Sequence, residues 1–206
     1  MRNLAAVLIS CFALQSEMID RIAVTVDNRV IAESEIMRQI RITAFLNGEP
    51  PDFSAANKRN TADRLVEQAL IRRELETTRY AAQGASATTE YQELKKKYPD
   101  EDAYKAALQT TGITDKDVQE ALQWQAVLLD FIDMRFRPGV QLPESDVQDY
   151  YNQQVAQSPG KLPPFEEARE SIEEILTSRL VDNAVDRWLG QVRTQTRIKY
   201  TQEVFR

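Results

Sequence analysis

The chain of 206 residues contains no histidine. That removes every catalytic triad, dyad or proton shuttle built on imidazole, and every metal site with a histidine ligand. One cysteine is present, Cys11, so no intrachain disulfide and no CxxC motif exist. Six glycines are scattered along the chain, and no phosphate-cradling loop can be assembled from them. Uninterrupted apolar sequence of the length that spans a bilayer, about 20 residues, is also missing. Positive charge is in the minority: 26 Lys and Arg against 32 Asp and Glu leave a net charge of −6. A chain of that sign is poorly matched to a polyanion. Its basic clusters, Arg72-Arg73 and Lys95-Lys96-Lys97, are short, sit among acids and read as solvated helix faces. Nucleic acid is not an expected partner.

What is present supports a folded core. Hydrophobic residues make up 42% of the chain and charged residues 28%, the balance of a soluble globular protein rather than a disordered one. Residues 1–16 have the layout of an export signal, with Arg2 followed by an apolar run over 4–14 that only Ser10 and Cys11 interrupt. Cleavage after Ala13 would satisfy a small-residue rule. Leu8-Ile9-Ser10-Cys11 also resembles a bacterial lipobox, which would place a lipid on Cys11. A buried first strand or helix is the competing reading. The expectation is a signal over 1–16 and a periplasmic chain, membrane-anchored if Cys11 carries lipid.

Glycine and proline punctuate the rest. Gly48, Gly84, Gly112, Gly139 and Gly160 each follow a helix-like run, and all eight prolines lie in or beside the same breaks. Between them the spacing predicts helices over 34–46, 54–83, 89–98, 101–111, 114–136, 144–156 and 164–194, with Ser34 capping the first. Thr114 and Asp117 approximate a capping box. Residues 21–31 alternate apolar and polar around Asp27-Asn28 and read as a hairpin. Residues 197–202 read as a closing strand. A lone strand is not stable, so it is expected to pair with the hairpin. The predicted class is mainly α, with a small sheet joining the N-terminal hairpin to the C-terminal strand. One domain over 17–206 follows, comprising a part over 20–157, a joint over 158–163, and a last helix and strand over 164–203.

Sites for chemistry are scarce. Asp115-Lys116-Asp117 has the opening of a calcium loop but lacks its later oxygen ligands and central glycine. Glu166, Glu167, Glu170, Glu173 and Glu174 fall in the first turns of a helix, where its dipole favours negative charge. No catalytic residue, metal or cofactor is expected. The helix over 114–136 is more informative, because it carries two apolar faces. Val118, Ala121, Leu122, Gln125, Leu129, Ile132 and Phe136 form one; Trp124, Val127, Phe131 and Met134 form the other. Such a helix is either central to the core or leaves one side free. If a side is free, Trp124, Val127, Phe131 and Met134 are the candidate contacts for unfolded polypeptide.

The order of these segments resembles a known family. IAVTVDNRVIAESEI, then RLVEQALIRRELE, then DEDAYKAALQTTGITDKDVQEALQWQ are similar to successive elements of the SurA N-terminal domain family of periplasmic chaperones. PESDVQDYYNQQ resembles the family's helix with paired tyrosines. PFEEARESIEEILTSRLVDNAVDRWLGQVRTQTRIKY resembles its C-terminal helix and closing strand. Relatives carry parvulin prolyl isomerase domains between those last two segments. Here about a dozen residues stand there, and the histidines of the parvulin site are absent from the chain. The resemblance implies an ATP-independent holdase for unfolded exported or outer-membrane polypeptides, without prolyl isomerase activity. An envelope scaffold subunit that holds one partner with the same fold is the alternative. The resemblance leaves the oligomeric state open.

Overall fold

A computed structural model describes residues 20–78, 86–157 and 163–206. The proposed signal over 1–16, Cys11, Gly84 and the centre of the joint at 158–162 lie outside these residues. The fold is mainly α with one small antiparallel sheet, in the strand order β2-β1-β3.

The hairpin forms where alternation predicts it. Strand β1 (Ile22–Val26) turns through Asp27, the only described non-glycine residue with positive φ (50°), into β2 (Arg29–Ala32). Aspartate tolerates that left-handed conformation better than a branched or bulky residue. The turn is held from outside. The Asp27 carboxylate accepts from an Arg73 guanidinium nitrogen at 2.8 Å and from the Arg197 amide at 3.0 Å. Strand β3 (Ile198–Tyr200) pairs with β1 in the register Val24 to Tyr200 and Val26 to Ile198. The two ends of the described chain are therefore joined, because β1 needs a second neighbour to bury its backbone groups.

Among the described residues seven α-helices follow the hairpin: α1 (Glu33–Asn47), α2 (Ala55–Thr77), α3 (Thr88–Lys96), α4 (Glu101–Thr111), α5 (Asp115–Arg135), α6 (Glu144–Gln157) and α7 (Phe165–Thr194). Gly48 and Gly112 end α1 and α4 at φ near 70°, as C-terminal glycines do. Gly139 does not; it closes a short 3-10 helix, Arg137–Gly139, whose backbone needs no positive φ. Thr114 and Asp117 form the full reciprocal capping box at the start of α5. Ser34, however, is not a cap. It lies inside α1, and the Asp20 carboxylate takes over that role by accepting from both the Ser34 amide, at 3.1 Å, and the Ser34 hydroxyl. Those hydrogen bonds lower the Asp20 pKa.

Among the described residues, four apolar clusters hold the elements together. The first packs the sheet against α1, α2 and the C-terminal Val204. A second joins α1, α3, α4 and the first half of α5, with Tyr104 at its centre. The third joins α2, the second half of α5 and the middle of α7 around Phe131, Phe136 and Trp188, whose ring centroids lie 5.7–5.8 Å apart. The fourth joins α6 to the start of α7 through Val147, Ala168 and Ile172. Helix α7 thus meets three different partners along its length, which answers its long i+4 apolar row. Beside the joint, Tyr151 donates to the Pro163 carbonyl at 2.9 Å and its ring meets Phe165 edge-on at 5.2 Å.

Candidate functional site

Helix α5 does not present either of its apolar faces unbroken. In its first half Val118 and Leu122 are buried in the second cluster. In its second half Phe131 is buried in the third, on the other side of the helix at about 100° per residue. The buried side switches because α5 passes from α1, α3 and α4 to α2 and α7. Leu129 continues the Val118–Leu122 face beyond the end of the second cluster and is left 64% exposed.

The four candidate contacts on α5 therefore separate. Phe131 is 1% exposed and packs on Phe136 and Trp188 at 5.8 Å. It is a core residue, and its reading as a client contact is corrected on that ground: a ring enclosed on all sides cannot meet a client without local unfolding. Met134 is 44% exposed near the end of the helix. Trp124 and Val127 are half-buried, and both line an open groove of about 840 Å³ between α2 and α5. Leu75 completes the apolar wall; Gln119, Glu120, Gln123, Arg72 and Glu76 form the rest.

Arg72 controls one side of this groove. Its guanidinium carbon lies 3.8 Å from the centre of the Trp124 ring, a stacked cation–π contact. Desolvation there, followed by the nearby Arg29 charge, lowers the Arg72 pKa. The indole Nε1 is buried and meets no hydrogen-bond acceptor among the described residues. Trp124 and Arg72 also line a smaller, more polar cavity of about 270 Å³ between α1, α2 and α5, whose lining includes the Arg38–Asp117 ion pair at 3.4 Å. Of the residues that line the groove, the spacing along α5 singles out Trp124 and Val127 but gives no pointer to those on α2. As a sequence, Arg72-Arg73 reads as a solvated basic pair, and nothing local links position 72 to 124. The Ile71/Leu75 pair was the available signal, since it marks an apolar flank near the end of α2.

Elsewhere the polar groups serve the fold. Glu173 and Glu144 both pair with Arg169, at 2.8 and 2.5 Å, and Glu174 pairs with Arg137 at 3.5 Å. Among the described residues no group of three or more acids or cysteines is arranged to hold a metal, and no helix is long and apolar enough to cross a membrane. Asp115 accepts from both Tyr104, at 2.6 Å, and Tyr91, at 2.8 Å, so the calcium-like tripeptide is occupied in tying α5 to α3 and α4. No protein-family model and no curated protein matches the chain.

Proposed function

We propose that the chain is an ATP-independent, SurA-like chaperone of the cell envelope that holds unfolded exported or outer-membrane polypeptides without isomerising their prolines. The observation that carries the reading is the α2/α5 groove: an apolar wall of Leu75, Trp124 and Val127 left open beside polar side chains. A wall of this kind holds a client side chain by burial alone, which suits weak, repeated contact and requires no chemical step. The segment order described above, and the closing of β1 on β3, are what the family resemblance leads one to expect of such a holdase.

Light scattering tests it. An unfolded outer-membrane protein diluted from denaturant should aggregate less when the full chain is present in several-fold molar excess. Val127→Glu with Met134→Glu should weaken that protection by about twofold or more, because a charge in an apolar contact must be desolvated for binding. No protection by the unaltered chain would overturn the reading.

The shortness of the wall, three apolar side chains, favours a second reading: a scaffold subunit that takes one motif of one partner. A single stoichiometric partner recovered from envelope extracts would support the scaffold, and many sub-stoichiometric ones the holdase.

A further inference from the structure

The polar rim of the α2/α5 groove discriminates by charge. Its ionisable members are Arg72, Glu76 and Glu120. Arg72 is laid over the indole, with its guanidinium engaged on the ring face. Glu76 makes no ion pair among the described residues, and Glu120 has only Lys116, at 3.5 Å, with both side chains well exposed. An exposed pair one helical turn apart contributes little and is readily exchanged. Both carboxylates act electrostatically on Arg72, and two against one guanidinium leave the rim net negative beside a wall of Leu75, Trp124 and Val127.

We propose that the occupant of this groove is an extended polypeptide segment in which a large apolar residue lies next to a lysine or arginine. The apolar side chain packs on Trp124, Val127 and Leu75. The basic side chain reaches Glu76 and Glu120, and its aliphatic stem adds to the contact while its head stays near water. Acidic segments are disfavoured, because they would bring like charge to the same rim. The inference rests on the polypeptide-binding reading and adds a substrate class to it. It does not depend on which exported protein supplies the segment.

Fluorescence anisotropy with three labelled peptides separates the two. The peptides share one length and one apolar residue and differ only in its neighbour: lysine, glutamine or glutamate. With the full chain at low salt, the lysine peptide should bind about five- to tenfold tighter than the glutamine peptide, and the glutamate peptide weakest, with the spread shrinking as salt is raised. The double variant Glu76→Gln, Glu120→Gln should erase the lysine preference, so that the lysine and glutamine peptides bind with equal affinity. Both positions are exposed, and an unchanged far-ultraviolet circular dichroism spectrum establishes that the variant is folded. Equal binding of all three peptides overturns the charge preference and leaves polypeptide binding standing. Tightest binding of the glutamate peptide also overturns it and assigns the groove's charge to Arg72. Binding of none of them overturns both readings.

Discussion

Tyr104 is 1% exposed, yet its hydroxyl is not left unsatisfied: it donates to Asp115 at 2.6 Å, and Asp115 also receives Tyr91 at 2.8 Å and Gln119 at 2.6 Å. Desolvation pushes the Asp115 pKa up, but the hydrogen bonds from Tyr104, Tyr91 and Gln119 outweigh it and hold the carboxyl below its ordinary range. The folded pKa lies below the unfolded one. The stability from this site is therefore complete above the unfolded value of about 4 and is lost as pH falls through the folded value. Tyr104→Phe should lower unfolding stability by about 1.5–3 kcal/mol at neutral pH, the range for a hydrogen bond to a charged group. It should also shrink the loss of stability on acidification. Urea titrations at neutral and acid pH would measure both effects, and identical acid limbs for the two proteins would refute the assignment. At the same scale, spacing alone places Trp124, Val127 and Phe131 on one face and carries no sign that Phe131 is enclosed. Burial depends on Phe136 and Trp188, and Trp188 lies on another helix.

Among the elements, α7 carries one residue against its local preference. Gly190 sits inside its last turns and is exposed, and a methyl group added there would meet nothing within 4 Å. Glycine in a helix interior costs about 0.5–1 kcal/mol relative to alanine, through the greater freedom of the unfolded chain. Gly190→Ala should stabilise by that amount, read as a higher urea midpoint with an unchanged slope; a lower midpoint would show that close packing at this position had been overlooked. Boundaries of α4, α6 and α7 lie within a residue or so of those the sequence predicts, since a cap or proline marks each start. Helix α1 was legible in extent but not in its capping. Asp20 reaches Ser34 only because β1 and β2 fold back between them. A contact across a hairpin leaves no local pattern at either end.

At the scale of the molecule, the sheet and the ion pairs around it join residues far apart in the chain. Arg193 on α7 pairs with Glu67 at 3.0 Å and Asp63 at 3.4 Å on α2, and Tyr200 donates to Asp63. Arg59 covers the Tyr200 ring at 3.6 Å. Beyond β3, Val204 returns to the first cluster at 2% exposure. Removing residues 197–206 should therefore cost more than the about 1.5–3 kcal/mol of one buried valine. It should also release the Asp27 amide, which donates to the Arg197 carbonyl at 2.9 Å. Hydrogen exchange of that amide is the measurement, and unchanged protection in the truncated chain would show that β1 is held without β3.

The sequence alone determined the succession of helices among the described residues, their starts and the pairing of the N-terminal hairpin with the closing strand. Each of these depends on local rules, whether of glycine and proline placement, period or capping, or on the simple need of a strand for a neighbour. It also excluded imidazole chemistry through the absence of histidine. Only the tertiary structure decided which side of α5 is buried at each point along it. That choice belongs to the helices packed around it, which change halfway along, enclosing Phe131 and leaving Trp124 and Val127 beside an open groove with Arg72, Glu76 and Glu120.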